Sequence, residues 1–206
     1  MKLAILDFDS TLMDGETIDI LAEQVGVKEQ VEKLTDAAMQ GELDFFESLT
    51  QRASLLKGMD ASIVDYVCHQ LPLMPGAKEF VAELKRQDYK VAVFSGGFRN
   101  ATNYYKKVLG YDTEFSNILH HVGGRLTGKV GGDVMFDFSK GDLLLRLQNL
   151  LGISEQNTLV CGDGANDLSM FEHADTRIAF CARPVLKQKA NIVIEDKDLR
   201  AIIPLL

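Results

Sequence analysis

The sequence has 206 residues, of which 46% are hydrophobic and 25% are charged, which fits one domain or a core with a modest insertion and excludes a disordered or fibrous chain. Its net charge of −8 disfavours binding to nucleic acid or to an anionic membrane, because the long-range field repels polyanions. No apolar run reaches a membrane-spanning length, no signal-peptide layout precedes residue 10, and the three cysteines form no CxxC pair, so we expect a cytoplasmic protein without a disulfide scaffold.

The first predicted element is a buried strand in LAILDFDSTL, residues 3–12. It ends in two carboxylates, Asp7 and Asp9. Side chains at positions i and i+2 of a strand lie on the same side, so both carboxylates can face one ligand.

The next sixty residues read as successive helices, in ETIDILAEQV, KEQVEKLTDAAMQ, DFFESLTQRASLL and ASIVDYVCHQL. A single crossover between parallel strands usually contains one helix. We therefore predict that residues 13–73 form an inserted helical cap with hinges near residues 13–15 and 73–75, and that residues 1–12 and 74–206 form the core.

Further along the chain, apolar strands alternate with helical patterns. PGAKEFVAELKRQ and KGDLLLRLQNLL have helical periodicity, while KVAVFSG, NTLVCGDG, RIAFC and NIVIED are short and apolar. This alternation predicts an α/β fold with a doubly wound, Rossmann-like parallel sheet. Gly123-Gly124 joins two strand-like runs and predicts a small β-hairpin.

Polar residues stand where the predicted strands end, which is where a doubly wound sheet binds its ligands. Singly, each of these residues is typical of a helix cap or a turn. Together, the carboxylates of Asp7, Asp9 and Asp163 suit Mg²⁺, and Ser95 and Lys140 could bind a phosphate. A carboxylate beside a metal-bound phosphate is an effective nucleophile.

The chain resembles the haloacid dehalogenase-like hydrolases, whose four motifs occur in order: DFDST at residues 7–11, Ser95, Lys140, and GDGAND at residues 162–167. The resemblance implies that Asp7 is the nucleophile, that Asp9 is the general acid and base, and that Ser95 and Lys140 assist. It also implies a Mg²⁺ ion held by Asp7, Asp163 and the main-chain carbonyl of Asp9, with Asp167 supporting the metal shell.

The strings DFDSTL, GET, RASLLKG, SGGF and GDGANDLSM also resemble those of bacterial and archaeal phosphoserine phosphatases. This resemblance implies hydrolysis of O-phospho-L-serine, a small phosphomonoester, in the last step of L-serine biosynthesis. Glu16 would bind the substrate ammonium and Arg52 its carboxylate. Other implied contacts come from the lid residues Met39 and Phe45 and from Ser95, Gly96, Lys140 and Asn166.

Several alternatives remain open at this point. The aspartyl-phosphate that the resemblance implies on Asp7 would also serve a phosphotransferase that passes the phosphoryl group to an alcohol such as homoserine, or a phosphatase for phosphoethanolamine or phosphothreonine. A non-catalytic phosphoester-binding protein could also keep the fold. Without the resemblance, Arg52 reads as a surface residue paired with Asp44 or Glu47. The sequence leaves the oligomeric state and the choice between Mg²⁺ and Mn²⁺ open.

Overall fold

The computed structural model describes residues 1–39 and 43–206, without the side chains of Asp36, Ala38 and Met39. The side chain of Met39, predicted as part of the lid, therefore lies outside the described part of the structure. The strands are β1 (Lys2–Leu6), β2 (Tyr89–Phe98), β3 (Thr113–Val122), β4 (Arg125–Gly132), β5 (Thr158–Gly162), β6 (Thr176–Phe180) and β7 (Ile192–Ile194).

All seven described strands belong to one sheet, in the order β4-β3-β2-β1-β5-β6-β7. Neighbouring strands are parallel, except that β4 is antiparallel to β3. The chain therefore winds in both directions from the central strand β1, and the predicted doubly wound α/β fold is confirmed.

The helices flank this sheet. They are α1 (Thr17–Gln24), α2 (Lys28–Met39), α3 (Phe45–Leu55), α4 (Ala61–Cys68), α5 (Ala77–Arg86), α6 (Arg99–Leu109), α7 (Ser139–Leu151), α8 (Leu168–Phe171) and α9 (Pro184–Lys187). Short 3₁₀ segments occur at Glu155–Asn157, Ala165–Asp167 and Leu199–Leu205. Among the helices in the described ranges, none is both long and apolar enough to cross a membrane.

Both faces of β1 are buried, which explains its continuous apolar sequence. Leu3 and Ile5 pack into one apolar cluster, and Ala4 and Leu6 pack into a second cluster, as the alternation of strand side chains requires. Apart from Lys2 at its start, β1 has no polar side chain, and it pairs with β2 on one side and β5 on the other. The residues that follow β1 therefore start from a fixed position.

The four helices α1 to α4 lie between β1 and β2, as expected. Where this segment leaves and rejoins the sheet, its two ends are hydrogen-bonded: Asp14 N–H donates to the Pro72 carbonyl (2.9 Å) and Met74 N–H donates to the Leu12 carbonyl (2.9 Å). The segment is thus tied at its base. Its division from the core at residues 13 and 73, and its movement as a cap, stay predictions.

The predicted hairpin is present as β3 and β4, with Gly123 and Gly124 in the left-handed region between them (φ 57° and 76°). The structure adds that β3 also pairs in parallel with β2. The hairpin therefore extends the main sheet. The helix α6, which crosses from β2 to β3, is absent from our sequence prediction.

Candidate active site

Asp7 continues the central strand by one residue. Its N–H donates to the Cys161 carbonyl of β5 (2.9 Å), and its side chain is almost fully buried. Burial raises the pKa of Asp7 from 3.8 to about 7, although Lys140 opposes the shift. Without a further cation, this carboxyl group therefore holds a proton up to near-neutral pH.

Lys140 contacts Asp7 from the interior of the protein. It is the second residue of α7, and its side chain has no exposed surface. Its Nζ is 2.7 Å from Asp7 Oδ1 and 2.6 Å from Asp167 Oδ1. Burial alone would lower the pKa of Lys140, but the attraction of Asp167 and Asp7 outweighs it and raises that pKa. Lys140 is therefore a permanent positive charge that orients two carboxylates.

Asp7, Asp163 and Asp167 each place a carboxylate oxygen within 4.8 Å of the other two. Asp167 already has partners, because Oδ1 meets Lys140 and Oδ2 accepts from the N–H groups of Asp163 (3.0 Å) and Gly164 (3.1 Å). Burial raises the pKa of Asp163 well above its usual range, and Asp7 and Asp167 add to the shift.

This arrangement fits a hard divalent cation. The three carboxylates stand near a single lysine, which contacts only Asp7 and Asp167. The excess negative charge favours a cation with few protein oxygen ligands, as Mg²⁺ prefers. Asp7 and Asp163 are the candidates for direct ligands, and Asp167 holds the loop of Asp163 in place. Gly162 permits this packing, since an added Cβ would lie 2.3 Å from Asp167 Oδ2.

Asp9 is held from both sides. Thr17 donates to Asp9 Oδ1 through its N–H (2.8 Å) and through its hydroxyl (2.5 Å), and Ser95 Oγ donates to Oδ2 (3.2 Å). Burial raises the pKa of Asp9, and the Thr17 and Ser95 hydrogen bonds oppose that shift. Sequence reasoning missed Thr17, although it directly follows Glu16 in the GET string.

The two glycines after Ser95 line the other side of the cleft. Gly97 N–H donates to Ser95 Oγ (2.9 Å), and a Cβ on Gly97 would lie 2.3 Å from Asp9 Oδ2. Only glycine lets the backbone pass so close to the carboxylate. The single hydroxyl proton of Ser95 is used on Asp9 here, so the predicted contact with a phosphate requires that hydroxyl to rotate.

Glu16 returns to the site through a tight loop. Ser10 adopts a left-handed conformation (φ 57°), its N–H donates to the Gly15 carbonyl (2.8 Å), and its hydroxyl donates to Glu16 Oε1 (2.8 Å). Burial raises the pKa of Glu16 to about 8, and the nearby Asp9 adds to the shift. A cationic group of a ligand would lower this pKa and ionise the carboxyl group.

Arg52 is 8% exposed, so it is not the surface residue that helix position alone suggests. Its Nε donates to the Ser48 carbonyl (3.4 Å), and its Nη1 donates to Thr35 Oγ1 (3.3 Å). Asp44 caps α3 instead, accepting from Glu47 N–H (2.7 Å). Burial lowers the pKa of Arg52, while Glu16 and Asp19 oppose the shift.

Two adjacent phenylalanines at the start of α3 diverge, as the helical twist requires. Phe45 lines the cleft, and a Cβ on Gly96 would lie 2.8 Å from its ring. Phe46 instead stacks on Phe136 (ring centroids 5.2 Å apart), which stacks on Phe138 (5.3 Å). The helical segment therefore touches the sheet-side loops through both rings.

These groups surround one cleft of about 1100 Å³. The predicted site residues on its wall are Asp7, Asp9, Glu16, Phe45, Arg52, Gly96, Asp163 and Asn166. Ser95, Lys140 and Asp167 lie beneath the wall, hydrogen-bonded to the carboxylates of Asp7 and Asp9 or to each other. The cleft thus brings the cluster of carboxylates together with one further acidic side chain, Glu16, and one basic side chain, Arg52.

Comparison with known proteins agrees with this chemistry. The family model of the haloacid dehalogenase-like hydrolases matches residues 1–175. The chain is 61% identical to a phosphoserine phosphatase of Wolinella succinogenes and 47% identical to one of Methanocaldococcus jannaschii, with 98% of this chain covered in both and 98% and 96% of those proteins.

Solved structures are similarly close. A substrate-bound phosphoserine phosphatase complex and a phospho-aspartyl intermediate analogue of phosphoserine phosphatase each superpose with a TM-score of 0.95 and 46% identity. Each comparison covers 100% of this chain and 98% of the other.

Proposed function

We infer the function of this chain from the family to which it belongs, the phosphoserine phosphatases within the haloacid dehalogenase-like hydrolases. As a member it is a phosphomonoester hydrolase. We propose that it hydrolyses O-phospho-L-serine to L-serine and phosphate, with Mg²⁺ and through an aspartyl-phosphate on Asp7. That reaction is the last step of L-serine biosynthesis, and a cytoplasmic location remains our prediction.

The nucleophile in this proposal is Asp7. Lys140 fixes its carboxylate at Oδ1 (2.7 Å), which supports an in-line approach of the group to phosphorus. A divalent cation held by Asp7, Asp163 and the carbonyl of Asp9 would favour the ionised carboxylate and withdraw charge from the phosphoryl oxygens. Lys140 offsets the repulsion between Asp7 and the phosphate dianion.

Asp9 is the proposed proton donor and acceptor. It is two residues beyond Asp7, and its Oδ1 is fixed by Thr17, so its orientation is set before substrate binds. A carboxyl group whose pKa is raised by burial can carry the proton that the leaving serine oxygen needs, and its conjugate base can then accept a proton from the attacking water. The two carboxylates of DFD thus have different tasks.

The cap side of the cleft supports serine phosphate as the substrate. Glu16 and Arg52 lie on that side of the same cleft, and serine phosphate carries one ammonium and one carboxylate. Arginine can bind a carboxylate through two parallel N–H groups. Phe45, packed over Gly96, would exclude water from the reacting groups, and Asn166 and Gly96 would contact the substrate from the core side.

The observation that carries the proposal is the shared cleft of Asp7, Asp9, Asp163, Glu16 and Arg52. The test is phosphate release from L-phosphoserine, phosphothreonine, phosphoethanolamine and a sugar phosphate, each with Mg²⁺ and with a chelator. We expect rapid, metal-dependent release from L-phosphoserine. A different preferred ester would overturn the substrate assignment. Phosphate release that continues in the chelator would overturn the proposed requirement for a divalent metal.

The role of Arg52 has its own test. Arg52→Ala should lower kcat/KM for L-phosphoserine by at least about 100-fold, since a charge-assisted bidentate contact contributes several kcal/mol. Phosphoethanolamine lacks the carboxylate, so its hydrolysis should change much less. Equal losses for both esters would remove Arg52 as the carboxylate ligand. Product analysis with added homoserine would detect transfer to an alcohol in place of hydrolysis.

A further inference from the structure

Thr35 is a polar residue of α2 that lines the cleft beside Arg52. Its hydroxyl donates to the Val31 carbonyl one turn earlier (3.1 Å) and accepts from Arg52 Nη1 (3.3 Å). A threonine hydroxyl has one proton and two lone pairs. Donation to Val31 therefore fixes the hydroxyl rotor and leaves a lone pair for the guanidinium.

Arg52 is anchored a second time from its own helix, because its Nε donates to the Ser48 carbonyl (3.4 Å). The guanidinium is thus held by α2 and α3 together. A guanidinium carries five N–H donors, and the two anchors use one on Nε and one on Nη1. The donors that remain lie on Nη1 and Nη2, and one N–H of each can bind the two oxygens of a carboxylate together.

The anchoring has a second consequence, because Arg52 lies among acidic groups. Glu16, Asp19 and Asp9 all act on its pKa. An unrestrained guanidinium in a buried cleft would pair with one of them. Among the described residues, no ion pair joins Arg52 to Glu16 or to Asp19. Arg52 and Glu16 therefore stay separated and available for a zwitterionic ligand.

We propose that Thr35 is a positioning residue that orients Arg52 toward the carboxylate of the substrate and so sets the preference for an amino-acid phosphate over an amine phosphate. The inference rests on the proposed function, since it concerns the same cleft and the same substrate class. It assigns Thr35 no contact with the reacting atoms.

The test compares Thr35→Val, which removes the hydroxyl at nearly constant shape, with Thr35→Ser, which keeps it. Thr50→Val is the matched control, because Thr50 makes the same type of bond to the Phe46 carbonyl one turn earlier on α3 (2.5 Å) but does not line the cleft. Thermal unfolding of all variants checks the fold, and Thr35→Ala replaces Thr35→Val if valine disturbs α2.

For L-phosphoserine we expect Thr35→Val to lower kcat/KM about 10-fold, mainly through KM, because one hydrogen bond to a charged group is lost. Thr35→Ser and Thr50→Val should stay within about 2-fold of the unchanged protein. For phosphoethanolamine, Thr35→Val should have little effect. In an Arg52→Ala background it should have no further effect on either ester, because the pair acts as a unit.

Each outcome decides the matter. An equal loss of kcat/KM for both esters would show that Thr35 only supports the packing of α2 on α3. An unchanged kcat/KM for L-phosphoserine would show that Arg52 does not need the hydrogen bond to Thr35. Either result would overturn the inference. If the unchanged protein itself failed to hydrolyse L-phosphoserine, the proposed function would fall first and take the inference with it.

Discussion

The three clustered carboxylates lead to an unusual prediction: Asp163→Asn should abolish activity and yet stabilise the metal-free protein. Asp163 shares a 4.8 Å cluster with Asp7 and Asp167, and burial and these neighbours raise its pKa well above the usual range. The folded protein therefore resists ionisation of Asp163. Asparagine keeps the shape of the side chain and removes the charge.

The magnitude follows from the geometry. Two unit charges at 4.8 Å, the outer limit of the separations within this cluster, repel by about 3.5 kcal/mol at an effective dielectric constant of about 20. Asp163 faces the charged Asp167 and a partly ionised Asp7, whose pKa is raised to about 7 without a metal, and the single charge of Lys140 offsets about one unit of charge. Burial of the carboxylate adds to the remaining repulsion and proton uptake relieves part of it, so we expect the free energy of unfolding to rise by about 1–2 kcal/mol, or the Tm by about 2–8 °C for a chain of this size.

The assay is thermal unfolding followed by circular dichroism, in a chelator and in excess Mg²⁺. Asp196→Asn is the control, since Asp196 is exposed and its variant should stay within about 0.5 kcal/mol of the unchanged protein. In the chelator, Asp163→Asn should melt above the unchanged protein. Mg²⁺ should raise the Tm of the unchanged protein, because a ligand that binds only the folded state stabilises it, and it should raise the Tm of the variant much less.

A lower Tm for Asp163→Asn in the chelator would refute this reasoning, because it would mean that the carboxylate stabilises the fold without a metal. Equal Mg²⁺ shifts in the two proteins would likewise remove Asp163 from the metal ligands.

Three further predictions concern neighbouring groups. In a chelator, the Tm should fall as the pH rises from about 4 to about 8. The pKa values of Asp7 and Glu16 are raised to about 7 and about 8, so the folded state binds more protons than the unfolded state across that range. A Tm that rises with pH would contradict this. Thr17→Val should lower kcat about 10- to 100-fold by removing a charge-assisted hydrogen bond to Asp9, while Thr17→Ser should retain most activity in the same steady-state assay. Gly96→Ala should raise KM about 10-fold, because the alanine Cβ would lie 2.8 Å from the Phe45 ring and overpacking of that size is destabilising. An unchanged KM would show that Phe45 need not pack against Gly96.

The elements that the sequence predicts well are those in which apolar residues recur with a clear local period. The apolar strand before Asp7 and the helices α5 and α7 appear where their patterns place them. The helix α6 was missed, because RNATNYYKKVL contains few strongly apolar residues. The parallel pairing of β3 with β2 was also missed, because the sequence of one strand does not specify which distant strand it pairs with.

The candidate site divides in the same way. Carboxylates at strand ends can be predicted, because their charge is conspicuous where an apolar strand stops. The residues that orient them are ordinary in type: Thr17 reaches Asp9 across eight residues, and Thr35 reaches Arg52 across seventeen. Such contacts depend on how the loop after β1 folds and on how α2 packs against α3, which no local pattern specifies.

The most direct test of the account is to trap the covalent intermediate. The protein would be mixed with L-phosphoserine and Mg²⁺, quenched in acid during turnover, and digested for mass spectrometry, with Asp7→Asn and Asp163→Asn treated in parallel. We predict phosphate on the peptide that contains Asp7 in the unchanged protein and in neither variant. Rapid hydrolysis with phosphate on a different residue, or undiminished hydrolysis by Asp7→Asn, would contradict the assignment of Asp7 as the nucleophile.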